Sequence, residues 1–168
     1  MKVLFISLLL FFTNIAEEKW KTLVDATYKY TIEYPADWEV QEIDEKKALT
    51  TLLENETDTF AENVNVISLP FIKTDVSQPA FELGVMDQLK SQIKGFKFLG
   101  STLKEINGMK MLKVNYLADY EGIILNLSQY LYSTESQLYI ITVTVPEKGN
   151  PSFITLAEKV IGTIKATK

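Results

Sequence analysis

Apolar and polar positions along the chain alternate first with the period of a strand and then with the period of a helix, and the pattern repeats. In YKYTIEY, residues 28–34, Tyr28, Tyr30, Ile32 and Tyr34 fall on one side and Lys29, Thr31 and Glu33 on the other, the signature of a half-buried strand. Pro35 ends it, Asp37 suits a turn, and WEVQEI restarts an extended segment. Residues 48–54 and 63–69 read as further extended segments. From Pro79 the period lengthens. Phe81, Val85, Leu89 and Ile93 recur every four residues, with Pro79 suited to a first turn and Gly95 to a C-terminal cap, which predicts a helix over 79–94. The last segment repeats the device with Phe153, Leu156, Ala157, Val160, Ile161 and Ile164 behind an N-cap candidate, Asn150. Both stripes are expected to face the core.

Between the helices two turn signals fix a register. Asn107-Gly108 sits between apolar runs, a strong hairpin signal, and sets Ile106 opposite Met109, Leu103 opposite Leu112, Ser101 opposite Val114 and Leu99 opposite Tyr116. A turn at Glu121-Gly122 sets Tyr120 opposite Ile123, Ala118 opposite Leu125, Tyr116 opposite Leu127 and Leu112 opposite Leu131. Both put Leu112, Val114, Tyr116, Ala118 and Tyr120 on one apolar face, and a slip of one residue would destroy that match. A third turn near Glu135-Ser136 leads into LYIITVTV, apolar on both sides and so expected in the middle of the sheet. The result is an antiparallel meander with helices packed on it, an α+β arrangement.

The N-terminus changes the picture of where this domain works. Lys2, an apolar run from Val3 to Phe12 and the small residue Ala16 follow the order of a secretory signal peptide. The run is too short to span a bilayer, so residues 1–16 are expected to be a cleaved leader and residues 17–168 a single exported domain with one core. No stable membrane insertion is expected. The chain has no cysteine and a formal charge of −5, which rules out disulfides and argues against nucleic acid or anionic lipid as a partner. It has no histidine either, and its basic residues are all lysines. Imidazole acid-base chemistry, Cys-His and Ser-His-Asp nucleophiles and His- or Cys-ligated zinc are therefore excluded. Carboxylates and lysines remain, but no spacing marks out a catalytic pair, and no catalytic, cofactor or metal residue is assigned. Glu54, Glu56 and Asp58 alternate as at the start of a calcium loop, yet the glycine and closing glutamate of an EF-hand are missing. A solvated loop is the better reading. NET at 55–57 and NLS at 126–128 are glycosylation sequons by pattern alone.

With these segments in order, YKYTIEYPADWEV, ENVNVISLP at 62–70, an amphipathic helix, SQYLYSTESQLYIITVTV and a closing helix, the chain resembles the PsbP-like superfamily over roughly residues 19–166. That group includes the PsbP subunit of photosystem II, the DcrB-like proteins and a Ran-binding import factor. The resemblance implies an antiparallel sheet of about six strands flanked by helices on both faces, with Tyr-Pro-x-x-Trp as a structural corner closed by Trp38. It also implies a non-enzymatic binding, assembly or chaperone-like role. The metal-binding histidines and basic docking surface associated with photosynthetic members are absent here, so an oxygen-evolution role does not carry over.

The meander's second face supplies candidate partner-binding residues: Lys113 and Asn115 on one strand with Asn126, Tyr130 and Tyr132 on the next. Tyrosine with hydrogen-bonding groups suits a recognition surface, although a covering helix would make the same residues interior. Three functions follow as expectations. The first is an exported, non-catalytic factor, periplasmic or extracellular, that binds a protein or assembly partner in the periplasm or at the envelope. The second is a small-ligand carrier with its site between helix 79–94 and the sheet, and the third is a carboxylate hydrolase. A closed apolar cavity would favour the second.

Overall fold

A computed structural model describes residues 19–43, 46–51 and 60–167 of the protein. The leader at 1–16 and the sequon at 55–57 lie outside the described residues, as do Glu54, Glu56, Asp58 and the end of the segment expected at 48–54. Among the described residues the elements run β1 (Trp20–Asp25), β2 (Tyr30–Pro35), β3 (Glu39–Ile43), β4 (Lys46–Thr50), β5 (Asn63–Pro70), α1 (Pro79–Gln92), β6 (Lys97–Ile106), β7 (Met109–Tyr120), β8 (Ile123–Ser133), β9 (Gln137–Pro146), α2 (Pro151–Ile161) and β10 (Lys165–Ala166).

The α+β class holds, but the sheet is larger than the expected six strands. Seven strands in the order β3-β4-β5-β9-β8-β7-β6 form one antiparallel sheet, and β1-β2-β10 form a separate three-stranded sheet. The YKYTIEY alternation belongs to this second sheet. Its strand starts at Tyr30, because Tyr28 and Lys29 lie in a turn with Lys29 at φ 53°. Tyr30, Ile32 and Tyr34 are buried, as the alternation requires. The short sheet is tied to the long one by the Tyr139 hydroxyl, which donates to the Lys29 carbonyl at 2.7 Å, and by Ser68 Oγ, which donates to the Tyr28 carbonyl at 2.7 Å.

The meander register is as read from the two turns, with one exception. Ile106 pairs with Met109, Leu103 with Leu112 and Ser101 with Val114, but Tyr116 faces Phe98 rather than Leu99. A bulge between Phe98 and Gly100 causes the shift, at a glycine with φ 148° that no side chain obstructs. The β7–β8 pairs match at every position named above.

Instead of the one core expected, the described residues form two, one on each face of the long sheet. On one face α2 buries Phe153, Ala157, Val160 and Ile161 against Met111, Tyr130, Ile141 and Val143, together with Tyr30, Ile32, Tyr34 and Trp38 from the short sheet and its corner. Asn150 caps α2, its side-chain oxygen accepting from the Phe153 amide at 3.1 Å. Across the sheet, α1 packs with Leu112, Val114, Tyr116, Leu131 and Leu138. The α1 stripe is much less buried than the α2 stripe. Only Leu89 is buried, while Phe81, Val85 and Ile93 remain partly exposed.

Gly95 does not cap α1, since the helix gives way to an extended Ile93. It lies in the following turn at φ 66°, where a Cβ would come within 2.7 Å of the Asp119 Cβ, while the Asp119 amide donates to the Lys94 carbonyl at 2.9 Å. Gly95→Ala is expected to cost about 2 kcal/mol, from the left-handed backbone and the clash together. A urea unfolding midpoint that does not move would show that this turn is not held against β7.

Candidate ligand cleft between α1 and the sheet

The weak burial of the α1 stripe has a geometric cause. A cleft of about 700 Å³ separates the helix from the sheet over β5, β9 and β8, within the range of small-molecule sites. The pleat determines its floor. Alternate residues of three neighbouring strands project from this face, and the registers align them in rungs. One rung is Ile67, Ile140 and Leu131, and beside it lie Leu69 and Leu138. On the other side of the apolar rung come Asn65, Thr142 and Gln129, paired strand to strand. The floor therefore runs from apolar to polar along the strand direction.

The helix roof follows the same gradient. Phe81 in the first turn of α1 meets Phe71 edge-on, with ring centroids 6.3 Å apart, over the apolar end. The chain leaving the helix bonds to β7 at Asp119, beyond the polar rung, so Gln88 and Gln92 lie toward the polar end. Glu82 accepts a hydrogen bond from Ser101 Oγ on β6 and so holds the helix to the sheet's edge. Gly84 also lines the cleft, and a Cβ there would meet nothing within 4 Å.

Two electrostatic features set the chemistry. Among the described residues no charged one lines the cleft, in a chain of which 23% is charged. In addition, the partly exposed side chains of Asn65, Gln129 and Thr142, together with Tyr116, line the cleft and offer uncharged hydrogen-bonding groups to whatever fills it. Burial pushes the Tyr116 phenol up to about 12, so it stays a neutral donor.

The residues expected on the meander's second face are placed differently. Tyr130 is fully buried and Lys113 nearly so. Both reach Glu158 on α2, Tyr130 Oη at 2.8 Å and Lys113 Nζ at 3.2 Å from Oε1, and the Lys113 ammonium lies 5.0 Å from the Tyr130 ring centroid. Lys104 Nζ adds a third contact to Glu158 at 3.4 Å. The covering helix is thus α2, and these two side chains present no surface to a partner. Asn115 accepts from Ser128 Oγ at 2.7 Å, and Tyr132 stacks with Tyr139 at 6.4 Å. Asn115, Asn126 and Tyr132 keep partial exposure. The five do not form one open patch. Sequence reasoning missed both Glu158 and the polar rung. Glu158 neighbours the apolar stripe of α2, and the rung needs the β5–β9 pairing, which no turn signals.

Among the described residues, no group of three or more acids, histidines or cysteines could hold a metal ion, and no helix is long and apolar enough to cross a membrane. No protein-family profile and no curated protein sequence matches the chain. Solved structures do match in fold. A protein from Bacteroides thetaiotaomicron VPI-5482 aligns at 17% identity and a TM-score of 0.61 over 88% of this chain and 48% of its own, so this chain spans about half of it. LpqN of Mycobacterium tuberculosis, described as involved in cell envelope biogenesis, aligns at 13% identity and a TM-score of 0.60, covering 89% of this chain and 91% of its own. Cyanobacterial PsbP (CyanoP) from Synechocystis sp. PCC 6803 aligns at 13% identity and a TM-score of 0.58, covering 91% and 95%. The chain has the PsbP-like fold.

Proposed function

We propose that this PsbP-like domain is an exported, non-catalytic binding protein whose site is the cleft between α1 and the long sheet, with a small, largely apolar molecule as its ligand. One observation carries the reading. A space of about 700 Å³ is left between a helix and a sheet whose facing side chains are mostly apolar, where close packing would otherwise bring them into contact. Export rests on the order of charge, apolar run and small residue at Lys2, Val3–Phe12 and Ala16. A cell-envelope setting is the one described for LpqN, a protein of the same fold. The absence of histidine and cysteine from the chain removes the commonest catalytic groups and supports a binding role. A protein partner at the meander's second face is the weaker alternative, because Tyr130 and Lys113 are interior.

The test uses N-phenyl-1-naphthylamine, a neutral apolar dye whose fluorescence rises on leaving water. The protein is expected to bind one equivalent. Gly84→Phe places a ring in open space at the cleft wall and removes a helix-weakening glycine. It should abolish dye binding while leaving the unfolding midpoint the same or higher. Dye binding that survives Gly84→Phe, or is absent from the unaltered protein, overturns the site.

A further inference from the structure

We infer that the cleft takes a neutral single-chain amphiphile, its alkyl chain along Ile67, Ile140 and Leu131 and its uncharged hydrogen-bonding head against Asn65, Gln129 and Thr142. This deepens the proposed function and rests on it. A carboxylate or phosphate head is held most strongly by a cation, and an ammonium head by a carboxylate. Among the described residues the cleft wall carries neither charge, so a charged head would gain no ion pair to offset the hydration it loses. A ligand with no head would displace water from the polar rung and the Tyr116 hydroxyl without replacing its hydrogen bonds.

What the lining has points to one arrangement. The amides of Asn65 and Gln129 and the hydroxyls of Thr142 and Tyr116 offer both donors and acceptors. They lie at one end of a floor whose other end is aliphatic. Such a mixed set matches hydroxyl, amide or ester groups, which also carry both. The gradient orients the ligand, with the head toward the Gln88 and Gln92 end of α1 and the chain toward Phe71 and Phe81. At that end Leu69 and Phe71 are 44% and 36% exposed, so a chain can emerge between them. The site thereby selects for head-group charge and tolerates chain length.

Three probes with the same twelve-carbon chain separate head from tail: 1-monododecanoylglycerol, dodecanoate and dodecyltrimethylammonium. Each is titrated into the protein below its micelle concentration at pH 7.5 and followed by displacement of N-phenyl-1-naphthylamine and by calorimetry. The glycerol ester is expected to bind at least about tenfold more tightly than either ion. Gln129→Leu and Thr142→Val, each made singly, should weaken the ester by about tenfold while leaving dye affinity within about twofold. Comparable affinity for all three probes, or preference for an ion, overturns the neutral-head assignment and leaves the cleft itself standing. If neither dye nor amphiphile binds, the proposed function fails with it. Because the probe comparison uses the unaltered protein, it decides the matter even where a variant does not fold.

Discussion

Replacing Trp38 by alanine is expected to lower the free energy of unfolding by about 3–5 kcal/mol, the range for deleting a buried indole. Trp38 follows the turn after β2, its amide donating to the Pro35 carbonyl at 3.1 Å, and its ring is only 5% exposed. It stacks on Phe153 in the first turn of α2, with centroids 5.0 Å apart and planes 26° from parallel. The ring therefore joins three things: the end of the short sheet, the start of α2, and the core on that face of the long sheet. For a domain whose total stability is of the order of 5–15 kcal/mol, such a loss threatens folding at physiological temperature. Phe153→Ala should cost a similar amount. The double variant should fall short of the sum by about 1 kcal/mol, since each single change already forfeits the stacking. Urea unfolding of the four proteins measures this. A Trp38→Ala protein of unchanged stability would mean that the corner is not part of the core.

The turn before Trp38 was legible in the sequence because its cause is local, with Pro35 ending a strand and Asp37 suiting a turn. That Trp38 closes a corner there was implied by the PsbP-like resemblance. The β6–β7–β8 meander was likewise legible from local signals, since two glycine turns count off the cross-strand pairs up to the bulge between Phe98 and Gly100. What escaped was non-local. The β5–β9 pairing joins segments separated by α1 and the meander, and no turn chemistry announces it. Without it, Asn65 could not be placed beside Thr142 and Gln129. The α1 stripe misled in a different way. Phe81, Val85 and Ile93 have the spacing of core residues, yet a pattern of apolar positions cannot tell contact with a sheet from contact with a cavity above that sheet. Gly84 is the only hint within the helix, an interior glycine with open space around its missing side chain.

The second large effect is expected at Glu158. Its carboxylate accepts from the Tyr130 hydroxyl and from Lys113, with Lys104 beside it. Glu158→Ala leaves a fully buried phenol and a nearly buried ammonium without a partner, and removing one member of such a set costs about 3 kcal/mol. Glu158→Gln keeps an acceptor for Tyr130 but cannot balance Lys113, so about half that loss is expected. The pH dependence distinguishes this account from simple loss of packing. Burial pushes the Glu158 carboxyl up, but the hydrogen bonds from Tyr130 and Lys113 and the charges of Lys113 and Lys104 outweigh it and hold the group below its ordinary 4.5. A folded-state value below the unfolded one means the unfolded chain takes up the proton first. The stabilisation is therefore complete above pH 4.5 and is lost as pH falls through the lower folded value. The gap in unfolding free energy between the unaltered protein and Glu158→Gln should be constant near neutrality and narrow in acid. The same burial and the Glu158 carboxylate push the Tyr130 phenol well above its ordinary range, so Tyr130 remains a donor throughout. Should the gap stay constant down to pH 3, the carboxylate charge is not what holds α2 on the sheet, and the cost of Glu158→Ala must come from its aliphatic stem.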